Sequence, residues 1–157
     1  MRFTKWTIAT LLLTCAIASQ AGAQERERRL KRSDLPAAVL KTAVQESQGA
    51  TVRGYSSETS NGQLEYEVAL RIRGHNKDVS IAPDGSVLEI EEEVAIDSLP
   101  AEVRAGLQQL AGSGKITKVE SLTKHGAIVA YEAQVRTGAK RSEVQVGPDG
   151  KPLAHPE

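Results

Sequence analysis

The chain has 157 residues, 20 Lys+Arg against 20 Asp+Glu, one Cys, one Trp, one Phe and three Tyr. A balanced charge argues against the basic surface that nucleic-acid phosphates require, and a single cysteine excludes an internal disulfide or a cysteine metal cage. No Gly-x-Ser-x-Gly, His-Glu-x-x-His or phosphate-loop pattern is present, and nothing in the sequence sets a base beside a nucleophile, so the expectation is a non-enzymatic protein without a cofactor or a metal site.

Arg2 and Lys5 precede the apolar run WTIATLLLTCAIA, and small residues follow through Ala21 and Ala23. This order of charged, apolar and small regions predicts a secretory signal over 1–23, removed before Gln24, and hence a periplasmic or secreted protein. The run is shorter than the roughly 20 apolar residues a membrane helix needs. An alternative takes LLTC as a lipoprotein signal, with the chain lipid-anchored through Cys15. Signal removal takes Arg2, Lys5, Phe3 and Trp6 with it, leaving a slightly acidic chain with tyrosine as its only aromatic. The segment 24–32, QERERRLKR, reads as a flexible charged leader.

From residue 33 the sequence is written twice. SDLPAAVLKTAV (33–44) is answered by DSLPAEVRAGLQQL (97–110), and each predicts a helix opened by a proline in its first turn and ended at Gly49 or at the GSG of 112–114. Ser33/Asp34 and Asp97/Ser98 stand ready to cap. LEYEVALRIRG then alternates, setting Leu64, Tyr66, Val68, Leu70 and Ile72 on one face of a strand and Glu65, Glu67, Arg71 and Arg73 on the other. In the second copy Val129, Tyr131, Ala133 and Val135 stand opposite Glu132, Gln134 and Arg136. VSIAPDG (79–85) and VQVGPDG (144–150) are matching hairpin corners, with Pro, Asp and Gly in the order that suits successive turn positions. VAIDS (94–98) is too short and too apolar to separate two independent domains.

The fold class is therefore α+β: two tandem repeats, 33–94 and 97–153, each a helix followed by three or four antiparallel strands. They share one core in a single domain, 33–157, a helix-backed antiparallel sheet with one polar face.

The two Leu-Pro-x-x-Val helix starts, the Tyr66-Glu67 and Tyr131-Glu132 pairs and the two Pro-Asp-Gly corners resemble the PepSY-like family, and within it the beta-lactamase-inhibitor-like proteins. The resemblance implies a secreted binding module that restrains a protein partner such as a peptidase. It brings no site residues with it. From the strand alternation, the partner-binding face is Glu65, Glu67, Arg71, Arg73, Glu132 and Arg136, with Tyr55 the one tyrosine expected to be exposed.

A second function class is a periplasmic binder of small ligands or cations. His75, His125 and His155 are the histidines, and the first two are expected in loops, where solvated side chains are the ordinary outcome. Glu89, Glu91 and Glu93 share a strand face, which is expected to be a solvated or edge-protecting one.

Overall fold

The computed structural model describes residues 27–60 and 62–157. The expected signal and Cys15 lie outside the described residues. Eight strands form one open antiparallel sheet in strictly sequential order: β1 (Arg28–Leu30), β2 (Thr51–Ser60), β3 (Gln63–Ile72), β4 (His75–Ile81), β5 (Val87–Glu93), β6 (Lys115–Lys124), β7 (Ala127–Thr137) and β8 (Lys140–Val146). Helix α1 (Ala37–Glu46) precedes β2, and α2 (Ala101–Ala111) lies between β5 and β6. The protein is α+β. Arg28–Leu30, inside the expected leader, pair with Ser57 to Tyr55 of β2, and Leu30 packs against the core.

Both helices cover the same side of the sheet. Val39 and Ala43 of α1 pack with Val68, Leu70, Val79 and Ile81. Val103 and Leu107 of α2 pack with Val119, Tyr131, Ala133 and Val146. The register carries one face across: Val79 stands opposite Ile90, Ile90 opposite Thr123, and Thr123 is in phase with Val119 along β6. Alternation puts the residues between these on the opposite face, which bears no helix among the described residues. Tyr66 and Tyr131 both lie on the helix side, Tyr66 packed against the cluster under α1 and Tyr131 within the cluster under α2.

The helix starts differ in detail from expectation. Pro36 and Pro100 are the N-cap residues rather than first-turn residues, and neither helix has a side-chain cap. Ser33, Asp34, Asp97 and Ser98 instead belong to short 3-10 turns, Arg32–Asp34 and Ile96–Ser98, in which the Asp34 carboxylate accepts a hydrogen bond from the Lys31 N–H at 2.9 Å. Proline supplies no N–H, so a capping oxygen at that point has less to satisfy.

Each Pro-Asp-Gly corner rests on a helix. Gly85 has φ +89, and a Cβ placed there would lie 2.9 Å from the Ala38 carbonyl oxygen of α1. Gly150 has φ +75, and a Cβ there would run into the Glu102 carbonyl of α2. Ala38 and Glu102 each stand two positions after their helix's proline. The glycines thus answer two demands, the left-handed turn conformation and direct backbone contact with the helix. At the first corner the Thr42 hydroxyl donates to the Gly85 carbonyl oxygen at 2.6 Å. Thr42→Val keeps the shape and removes that donor, so it is expected to lower stability by about 1 kcal/mol, read as a shift in denaturant midpoint at unchanged slope.

Candidate functional site

The helix-free face is built by alternation. On β3 it takes Glu65, Glu67, Ala69 and Arg71; on β4, Ser80, Asp78 and Asn76; on β5, Glu89 and Glu91; on β6, Leu122, Glu120 and Lys118; on β7, Ala130, Glu132, Gln134 and Arg136; on β8, Gln145, Glu143 and Arg141. Cross-strand pairing sets Asp78 beside Glu91, and Glu120 beside Glu132. The result is a belt of carboxylates over β3–β7, with Lys118 as its central cation.

The belt is not freely solvated. Leu122 and Ala130 are buried on this face, and Leu122 stands directly opposite Glu91. Glu120 is only 3% exposed and is held by Lys118 Nζ at 2.6 Å. Burial, then the Glu120, Glu89 and Glu132 charges, push the Glu91 carboxyl up to about 8. Burial, then the charges of Asp78, Glu27 and Glu58, push Glu67 up to about 7. Asp78 is raised by burial and by Glu120, against the pull of Lys118. Burial raises Glu132 too, opposed by its hydrogen bond from Gln145. Burial works against the charge on Lys118, but the Glu120 contact, with Glu91 and Asp78 behind it, outweighs that and raises its pKa. Burial and like charges both disfavour the ionised carboxylate, and a nearby counter-charge favours it.

Oxygens of Asp78, Glu91 and Glu120 all lie within 4.8 Å of one another. Calcium takes six to eight oxygens, so the trio offers about half a shell, and Lys118 already supplies a positive charge at Glu120. No histidine belongs to this group. His75 opens β4 rather than lying in a loop, with Nε2 2.8 Å from Glu92. His125 does occupy a turn, with φ 52.

The sequence-predicted face is only partly assembled. Glu65 and Glu67 line a groove of about 390 Å³ together with Glu89, Glu91 and Lys124. Glu132 lines a second, of about 230 Å³, with Gln145, Leu153 and Pro156. Arg71 and Arg136 lie at the end of their strands away from these grooves, Arg71 donating to Asn76 Oδ1 and Arg136 Nε donating to the Gly138 carbonyl oxygen. Three expectations are corrected. Arg73 sits in the β3–β4 turn with φ 47, so it does not continue the strand face. Tyr55 is half-buried on the helix side, packed against the first core, because β2 alternates in phase with Val68. The acidic run Glu89, Glu91 and Glu93 is on an interior strand rather than an edge, since β5 pairs with both β4 and β6. Asp78, Glu120 and Lys118 were not singled out by sequence reasoning.

The C-terminal segment crosses this face. The Glu157 backbone N–H donates to Gln145 Oε1 at 2.9 Å, while its carboxylate meets Lys124 Nζ at 3.2 Å. Gln145 lies on β8 and Lys124 on β6, so the segment passes over β7.

No family model matches the chain, and no curated protein sequence does. Among solved structures the chain is similar to a candidate periplasmic protein from Bacteroides eggerthii, 16% identical with a TM-score of 0.62, over 76% of this chain and 86% of that one. It is also similar to a DUF2874 family protein from Bacteroides ovatus, 16% identical with a TM-score of 0.60, over 76% and 84%. A BLIP-like protein from Bacteroides fragilis is 18% identical with a TM-score of 0.56, over 74% and 81%. At these identities the likeness is one of fold, and the fold is BLIP-like. Among the described residues no helix is long and apolar enough to cross a membrane.

Proposed function

We propose that the protein is a non-enzymatic binding module of the cell envelope whose helix-free sheet face docks a protein partner through lysine and arginine side chains. The observation that carries this reading is the belt Glu67, Asp78, Glu91, Glu120 and Glu132, spread over five adjacent strands around one lysine. A surface that gathers crowded, part-buried carboxyls gains from a partner that brings positive charge. Restraint of a peptidase, implied by the PepSY-like resemblance, is the specific form of this proposal. The tandem-repeat reading is supported by the two corner glycines, each set against the backbone two positions after a helix-opening proline. Envelope location is supported by the N-terminal charged, apolar and small-residue pattern and by the fold shared with a candidate periplasmic protein.

The test is capture of proteins from an envelope extract on immobilised wild type, on Glu67→Lys/Glu91→Lys, and on Gln109→Lys, an exposed change on α2. Wild type and Gln109→Lys are expected to retain the same basic protein, and the belt variant to lose it. Identical retention by all three, or none by any, removes the proposal.

The raised carboxyls also set a pH dependence. A partner cation favours the ionised forms of Glu67 and Glu91, so docking releases protons wherever the free protein still holds them. Affinity is therefore expected to rise from pH 6 to pH 8 and level off above about 8, where both carboxyls are already ionised. The rise is about ten-fold per pH unit for each proton released. Titration calorimetry in buffers of different ionisation enthalpy would report that release directly.

A further inference from the structure

At the far end of the same face the charge changes sign. Lys115 stands opposite Arg136, and Arg136 opposite Arg141, so three cations form one row across β6, β7 and β8. Like charges directly opposite each other are unfavourable. Among the described residues Arg136 is met only by the Gly138 carbonyl, and neither Arg141 nor Glu143 makes an ion pair or a side-chain hydrogen bond. Glu143 lies instead near Glu132, another carboxylate.

Both charges sit on an edge strand, paired with β7 on its inner side. β8 ends the sheet, and among the described residues its outer side carries a single bridge, Val146 to Pro152, leaving Lys140 to Gln145 with an open backbone edge. Such an edge is a template for another strand.

We infer that β8 pairs with β8 of a second copy of this chain, antiparallel, with Ser142 opposite Ser142. The register follows from alternation. Two copies that extend the sheet with their helices on one side must place residues of the same face opposite one another. A two-fold axis through the middle of the strand then passes at Arg141, Ser142 or Glu143. An axis at Arg141 sets arginine against arginine, and one at Glu143 sets glutamate against glutamate. The axis at Ser142 sets Arg141 opposite Glu143 of the second copy, and by symmetry does so twice. Each copy thereby supplies the carboxylate that the other's cation row lacks. A seven-residue edge makes a small interface, so the dimer is weak and concentration-dependent.

This inference concerns the strand edge and stands apart from docking on the carboxylate belt. Sedimentation equilibrium of the signal-free chain is expected to show a reversible monomer–dimer equilibrium that weakens as salt is added. Arg141→Glu and Glu143→Arg, each alone, are expected to weaken dimerisation at least ten-fold, and Arg141→Glu/Glu143→Arg to restore it. Ser142→Cys in the same chain, which then has that one thiol, is expected to give a disulfide-linked dimer on mild oxidation. A wild type that stays monomeric at millimolar concentration overturns the inference. So does a double swap no better than the single ones, or a Ser142→Cys protein that fails to cross-link, with circular dichroism confirming that each variant is folded.

Discussion

Glu91→Gln is expected to make the protein more stable at pH 8 and to leave it unchanged at pH 4. Glu91 lies in the middle of the sheet, opposite Asp78 on one side and buried Leu122 on the other, and its carboxyl titrates at about 8 against a usual 4.5. The sign follows from proton counts. Below about pH 4.5 the folded and unfolded chains both hold the proton and Glu91 costs nothing. Between about 4.5 and 8 the unfolded chain has released it and the folded chain still binds it, so stability falls as pH rises; above about 8 the full penalty is present. Glutamine imitates the protonated acid and carries no such slope. With allowance for solvent screening at a part-exposed site, the gain at pH 8 to 9 is on the order of 2 kcal/mol, or roughly 5–8 °C in Tm. Thermal melts of both proteins at half-unit steps from pH 4 to 9 decide the matter. A difference that does not change with pH would show that the belt does not hold Glu91 as described.

That penalty bears on function. A glutamate on an interior strand, beside an apolar side chain and three other carboxylates, lowers stability at neutral pH, where a glutamine would fit. Perturbed titrating groups cluster at functional sites. A partner's lysine or arginine would turn the unfavourable belt into a favourable contact, so the variant gaining stability at pH 8 is also expected to lose affinity for a basic partner.

The alternation of LEYEVALRIRG was enough to place Glu65, Glu67 and Arg71 on the helix-free face, because β3 is regular from Gln63 to Ile72. It failed at Arg73, where the chain has already entered a turn. In β2 the segment TVRGYSSETS shows no such alternation, although Gly54 and Ser56 lie on the helix-free face and Tyr55 faces the core. The belt itself was illegible for a different reason. Asp78, Glu91 and Glu120 come from three strands, β4, β5 and β6. Their convergence depends on which strands are neighbours, which a single sequence does not state. Glu91 is visible as part of EIEEE, but its strand reads as solvated or at an edge, and it is interior and only part-exposed.

Gly106→Ala runs against local expectation in the opposite sense. Glycine inside a helix is less favourable than alanine by about 1 kcal/mol, so by propensity alone the substitution at the middle of α2 should stabilise. A Cβ at this position, however, would run into the Gly150 carbonyl oxygen and lie 3.2 Å from Val146 Cγ1. The obstacle is backbone in a turn already pressed against Glu102, so it cannot swing aside as a side chain would. The helix must lift, and lifting it loosens Val103 and Leu107, both fully buried over β6–β8. Overpacking of this kind costs about 1–3 kcal/mol and more where backbone must move. The net result is a loss of roughly 2–3 kcal/mol, or about 6–10 °C in Tm. Helix α1 shows why the glycine is specific to α2. Six positions after Pro36 stands Thr42, whose hydroxyl has room to bond the Gly85 carbonyl; six after Pro100 stands Gly106, where α2 rides closer on its corner. Gly54→Ala is the control, since nothing lies within 4 Å of a Cβ there. If Gly106→Ala melts at or above the parent temperature, α2 does not sit on the β8 corner at the separation described, and the account of why Pro-Asp-Gly is written twice fails with it.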